Sequence, residues 1–142
     1  MLKKSSAVTK FIICNFIYYG IIEPMKRKTI RNHNDFLTPR DAMYVCTDCV
    51  VVKVKPAKYP SDARYGLVVP KKMFKKAVHR NRAKRLLRDW IACHEDLMLN
   101  KYDYIFISRD TILDCSRVFG RHEIGRALRK IIRLDKADVA EK

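Results

Sequence analysis

Apolar positions along the chain keep two rhythms, and each marks a different kind of element. From Ala42 to Lys55 the residues turn to Val, Tyr and Cys, broken only at Thr47-Asp48, which predicts two strands joined by a tight turn. Pro56 to Asp62 holds two prolines and reads as a loop. Tyr65-Gly66-Leu67-Val68-Val69-Pro70 predicts a third strand closed by its proline. The rhythm then changes to 3.6, because Ala83, Leu87, Trp90 and Ile91 fall on one side of a helix at about 100° per residue. That helix is expected from Ala77 to Met98, with Asn100 as its stop. Tyr102 to Ser108 is a short apolar strand, and Ile124, Leu128 and Ile131 carry a final helix capped by Asp114 or Ser116 and weakened locally by Gly120 and Gly125. Ahead of all these, Asn32 or Asn34 caps a short helix that Pro39 stops.

The expected order is helix, three strands, helix, strand, helix, with no internal repeat. Helices and strands mix without strict alternation, so the class is α+β around one four-stranded sheet. A length of 142 residues is one domain. Its boundaries are set at 25–135, with 1–24 as an N-terminal extension and 136–142 as a polar tail. Within the extension, Lys3 and Lys4 precede the apolar run Phe11 to Ile22, in the manner of a signal peptide. The run is too short to span a bilayer, is interrupted by Asn15 and lacks a small-residue cleavage pattern. A start of translation at Met25 is the simpler explanation.

Charge changes the picture from a fold to a partner. The net charge of +16 points to a polyanion, and nine of the 31 Lys and Arg residues lie between Lys71 and Arg88, where no Asp or Glu occurs. On the predicted helix Asn81, Arg82, Arg85 and Arg88 face away from the apolar arc, Lys84 lies on the border, and Arg80 sits in the first turn nearer the apolar side, where its long side chain reaches past the body of the domain. One face packs and the other suits phosphate; a merely solvated surface would mix its signs.

Candidate chemistry is sparse by comparison. Five cysteines (Cys14, Cys46, Cys49, Cys93, Cys115) are odd in number and irregular in spacing, which argues against a secreted disulfide framework and for the cytoplasm. Cys46-Thr47-Asp48-Cys49 has the spacing of half a zinc site, but only Cys93-His94 offers a second half, so the pair is expected as ordinary strand residues flanking the turn. The four histidines are scattered, there is no nucleophile elbow or glycine-rich phosphate loop, and Glu95-Asp96 diverge on a helix instead of sharing a metal. The sequence supplies charge for binding and neither catalytic nor metal-ligating residues. Tyr44, Tyr65, Tyr102, Tyr104 and Phe106 lie on strands, where packing is the default and base stacking the alternative if one sheet face is open; Phe36 shares that ambiguity.

Three segments carry a family resemblance: Tyr65-Gly-Leu-Val-Val-Pro-Lys-Lys72, Ala77-Val-His-Arg-Asn-Arg-Ala-Lys-Arg-Leu-Leu-Arg88 and Tyr102-Asp-Tyr-Ile-Phe-Ile-Ser-Arg109. Together they resemble the protein subunit of bacterial ribonuclease P over roughly Met25 to Leu134. The resemblance implies a subunit that joins a catalytic RNA and helps it cut the 5′ leader from precursor tRNA, with hydrolysis carried by the RNA and its magnesium and no cofactor held tightly by the protein. It implies RNA contacts from Lys71, Lys72, Arg80, Asn81, Arg82, Lys84, Arg85 and Arg88. It also implies a leader cleft between the sheet and an N-terminal helix, for which Phe36, Arg40, Val52 and Tyr104 are the candidates. Arg40 stands where a second aromatic is usual, Val52 where Tyr is frequent, and Pro70 where Ser is common. A strand–helix–strand crossover is right-handed in about 98% of cases on physical grounds. The resemblance implies the opposite, a left-handed crossover of ribosomal-protein-like type, and left-handed is the expectation carried forward.

Rival readings are a general RNA-binding or ribosomal protein, a protein-only nuclease, and a DNA-binding protein. The nuclease lacks clustered carboxylates, and the DNA-binding protein lacks a turn and second recognition helix. A membrane partner is not expected, and the oligomeric state is not encoded in any of these patterns.

Overall fold

The computed structural model describes residues 28–59 and 64–141. The expectations for residues 1–24 fall outside them. Five strands form one sheet: β1 (Lys28–Thr29), β2 (Tyr44–Cys46), β3 (Val50–Pro56), β4 (Arg64–Val68) and β5 (Tyr102–Ser108), in the order β1-β4-β5-β3-β2. Two helices, α1 (Ala77–Ala92) and α2 (Arg117–Glu141), complete the α+β fold. The fifth strand corrects the expected four. Two residues of β1 run parallel to β4, and the Ile30 N–H extends the pairing onto the Tyr65 carbonyl at 2.8 Å. So short a polar edge strand has no alternation to announce it.

β2 and β3 form the expected hairpin. Thr47 closes it from both sides of its hydroxyl, donating to the Val50 carbonyl at 2.9 Å and accepting from the Val50 N–H at 3.2 Å. β3 then pairs antiparallel with β5, and β5 parallel with β4. The short N-terminal helix is a 3₁₀ turn, His33–Phe36, whose cap is Asn32: its Oδ1 accepts from the Asn34 N–H at 3.1 Å.

One sheet face carries Val50, Val52, Val54, Tyr104 and Phe106, all within 2% of complete burial, and both helices close over it. From α1 come Ala83, Leu87, Trp90 and Ile91, the arc set by the 3.6 period. Trp90 lies so close to α2 that a methyl group at Gly120 would overlap its indole, which is why glycine stands in the first turn of that helix. α1 ends six residues before Met98. The His94 ring turns aside to donate from Nε2 to the Arg121 carbonyl at 2.8 Å, and the apolar Leu97 and Met98 are delivered to the core by a 3₁₀ turn, Glu95–Leu97. The Tyr104 hydroxyl, buried with its ring, accepts from the Leu99 N–H at 2.8 Å.

α2 starts at the expected cap, where Ser116 Oγ accepts from the Phe119 N–H at 3.1 Å, and it continues to Glu141, so residues 136–141 of the segment expected as a polar tail are helical. Asp135 anchors that last stretch, accepting from the Tyr102 hydroxyl at 2.7 Å and pairing with Lys101 at 2.5 Å. Burial and that bond push the Tyr102 hydroxyl up to about 12, and the Lys101 ammonium holds the Asp135 carboxyl below its usual range. A disulfide joins Cys49 to Cys115, 66 residues apart, tying the hairpin to the entry of α2. It replaces the expectation that Cys49 is an ordinary strand residue, and it takes from the cysteines their argument for a reducing compartment.

The crossover from β4 through α1 to β5 is left-handed, and the hydrogen bonds fix the hand. Tyr65 packs on the helix side while its carbonyl points to β1; Val54, on the same side, donates to Met43 in the direction of β2. An L residue whose side chain faces the viewer on an ascending strand points its N–H and C=O to the right. Seen from the helices with β4 ascending, β1 is therefore on the right and β5 on the left, the reverse of the common crossover.

Candidate nucleic-acid interface

α1 presents its second face to solvent. Asn81, Arg82, Arg85 and Arg88 are exposed, and Lys84 and Arg80 are half-buried at its borders. The approach to the helix is a compact turn in which the Pro70 carbonyl accepts from the N–H groups of Met73 and Phe74, both at 3.2 Å. Phe74 sinks into the core and leaves Lys71, Lys72, Lys75 and Lys76 outside. Arg80 does not reach outward as expected. Its Nη1 donates back to the carbonyls of Phe74 and Lys75, at 2.8 and 2.9 Å, so it holds the lysine turn against the first turn of α1.

The electrostatics are one-sided. α1 has no acidic residue in its first turn and no side-chain cap at Lys76, so the backbone N–H groups there add to the positive field. No ion pair among the described residues uses Lys71, Lys72, Arg82, Lys84 or Arg85. Asp89, the one acid of α1, is turned toward α2 and pairs with Arg121 at 3.1 Å. Burial and the Glu95 carboxylate push the Tyr65 hydroxyl up, against the opposing influence of Thr29 and Arg88.

The four residues expected in a leader cleft do not come together. Val52 and Tyr104 are fully buried on the helix side, because the register Val52–Phe106 and Val54–Tyr104–Tyr65 sends this whole row beneath α1 and α2. Phe36 lies on the opposite face, where its ring covers Gly66 so closely that a methyl group there would enter the ring. Arg40 is exposed farther along the chain.

What holds Phe36 is a set of charged residues absent from the sequence-based expectations. Arg64 donates from Nη1 to Asp35 at 3.0 Å and from Nη2 to the fully buried Asp103 at 2.6 Å. Lys55 donates to the carbonyls of Asp35 and Leu37, and Lys58 lies 3.5 Å from Asp35. Arg64 above all, then Lys58, holds the Asp35 carboxyl below its usual range against the opposing effect of burial, and Asp103 raises Arg64 further. The signal was present: Lys53 and Lys55 alternate with Val50, Val52 and Val54, which marks a strand with a closed side and a wet side.

Nothing gathers the zinc-like cysteines into a metal centre. Cys49 is bonded to Cys115, Cys46 is exposed beside Arg109, Cys93 lies on α1's far end, and no group of three His, Cys, Asp or Glu converges among the described residues. No described helix is long and apolar enough to cross a membrane.

A mixed sheet with a left-handed crossover helix that presents Arg82, Arg85 and Arg88 outward defines a class of small basic α+β proteins. A family model described as Ribonuclease P matches residues 25–132, and the chain belongs to that family. A Vibrio cholerae protein described as ribonuclease P protein component is 43% identical over 56 residues, which is 39% of this chain and 47% of the relative. The match thus spans about half the length of that curated relative. Among solved structures, the Staphylococcus aureus RNase P protein has 26% identity and a TM-score of 0.61 over 75% of this chain and 96% of its own. The RNase P protein from Thermotoga maritima, at 23% identity and a TM-score of 0.57 over 69% of this chain and 92% of its own, shares the fold.

Proposed function

We propose that this chain is the protein subunit of a ribonuclease P holoenzyme, working in the cytoplasm. It joins a catalytic RNA and assists the magnesium-dependent removal of the 5′ leader from precursor tRNA. The observation that carries the reading is the outward arc of α1, where Arg82, Arg85 and Arg88 stand exposed with Asn81 while the inward arc is sealed in the core. Such a face neutralises phosphates without specifying a sequence, which suits assembly with a large folded RNA. Lys71, Lys72 and Lys84 extend it, and Arg80 acts by holding the lysine turn in place. In this reading the RNA binds the magnesium and carries the hydrolysis, and no protein side chain is catalytic. The leader lies along the open sheet face beside Phe36 and the exposed Arg40, with Val52 and Tyr104 excluded by their burial.

Reconstitution with the catalytic RNA of the same cell tests it. The protein is expected to lower the magnesium or salt-dependent threshold for leader cleavage. A general RNA-binding protein would bind the RNA and leave that threshold where it was, and this result would contradict the reading.

A further inference from the structure

A second basic surface lies on the other flank of α2, away from α1. Between β2, the edge strand of the sheet, and α2 runs a groove of about 710 Å³. Its sheet wall includes Cys46 and Thr47, and its helix wall carries Arg126, Arg129, Lys130 and Arg133. Among the described residues no Asp or Glu lines it.

The bland account is a solvated helix face, and the distribution of acids on α2 argues against it. From Arg117 to Leu134 the helix has six Lys and Arg residues and a single acid, Glu123. Glu123 is only 2% exposed and is already bonded to Arg126 at 2.7 Å. Asp135 is likewise turned inward, onto Tyr102 and Lys101. The next cations, Arg129, Lys130 and Arg133, are exposed and have no ion pair among the described residues. Like charges stacked at helical spacing repel, and a concave wall concentrates their field. Arg109 prolongs the line onto the hairpin, donating to the Thr47 carbonyl at 2.8 Å beside Cys46.

The spread of the charges selects the ligand. From Arg126 to Arg133 they follow the helix for roughly 10 Å at 1.5 Å per residue, so they do not converge on one small anion. An extended polyanion fits. We propose that this groove binds a stretch of RNA backbone independently of the α1 face. The proposal rests on the function above only in taking RNA as the polyanion.

The full chain is tested with an unstructured RNA oligonucleotide of about ten nucleotides, within the span of a single-strand site. Two double variants are compared, Lys130→Gln with Arg133→Gln and Arg82→Gln with Arg85→Gln, each checked for an unchanged melting temperature. Exposed Cys46 in the groove wall reports occupancy through its rate of alkylation by iodoacetamide, located by peptide mass. RNA is expected to slow that reaction several-fold in the parent and in the α1 variant, and to leave it unchanged in the groove variant. The slope of log affinity against log salt for the groove falls by about 1.4 in the groove variant, at about 0.7 per single-strand phosphate neutralised. Alkylation that RNA does not slow in the parent, or slows equally in the groove variant, overturns the proposal. Protection by inorganic phosphate at the same phosphate concentration also overturns it, in favour of a small-anion site. If only the groove variant loses oligonucleotide binding, the groove stands, and the α1 face is decided separately by its affinity for the catalytic RNA.

Discussion

The two faces of the sheet are built on opposite principles. Toward the helices, Val50, Val52, Val54, Tyr104 and Phe106 meet Leu87, Trp90 and Ile91 with almost no surface left to water. On the other side the cover among the described residues is a strap, residues 33–37, held by Arg64, Lys55 and Lys58 through Asp35 and by one aromatic ring over Gly66. Apolar packing does not titrate, whereas a strap held by ion pairs to Asp35 responds to pH through that carboxylate. The first face therefore supplies a packed platform for α1, and the second is covered by a segment whose hold depends on charge.

The largest effect is expected where the platform is cut. Trp90→Ala removes a fully buried indole wedged against Gly120 and should cost about 3–5 kcal/mol, read by denaturant unfolding. An unchanged unfolding midpoint would show that α1 is not held by this packing. Asp103→Asn, on the second face, should cost less, about 2–3 kcal/mol, because Arg64 keeps its bond to Asp35 when the buried partner loses its charge. A destabilisation as large as that of Trp90→Ala would mean that the charged face carries as much of the fold as the apolar one.

The smallest effect is local and depends on pH. Asp35 has its pKa depressed in the folded state, chiefly by Arg64, so its contribution is complete above the unfolded value of 3.8 and is lost as pH falls through the folded value below it. The Gly66 amide resonance, beneath Phe36, should shift in that acidic window while the core resonances stay put. A shift centred above the ordinary carboxylate range would exclude Asp35 as the latch.

Much of the platform was legible because it follows a period. Ala83, Leu87, Trp90 and Ile91 repeat at helical spacing, so the buried arc of α1, and with it the exposed basic arc, could be read directly. Strand Tyr102–Ser108 is marked at both ends, by Asn100-Lys101 and by Arg109. The open face was harder to read, since its bonds join residues far apart in the chain: Asp35 with Arg64, Arg64 with Asp103, Cys49 with Cys115. Alternation separates Val52 and Tyr104 from Lys53 and Ile105 and marks the lysine side of β3 as the wet one, but it does not say which distant residues cover that side. β1 was invisible because two exposed polar residues bury nothing. The far end of α2 was misread for a related reason: past Asp135 only Val139 is large and apolar, and it is exposed, so helix and polar tail look alike.

The central claim is that the outward arc of α1 binds RNA while its inward arc holds the fold, and the double variant Arg82→Ala with Arg85→Ala tests it most directly. Both side chains are exposed, so the melting temperature should stay within a few degrees of the parent. Affinity for the catalytic RNA should fall, and the slope of log affinity against log salt should flatten by roughly 1.4–1.8, at about 0.7–0.9 for each phosphate that is no longer neutralised. A cooperative fall in stability with an unaltered salt slope among the molecules that remain folded would contradict the account.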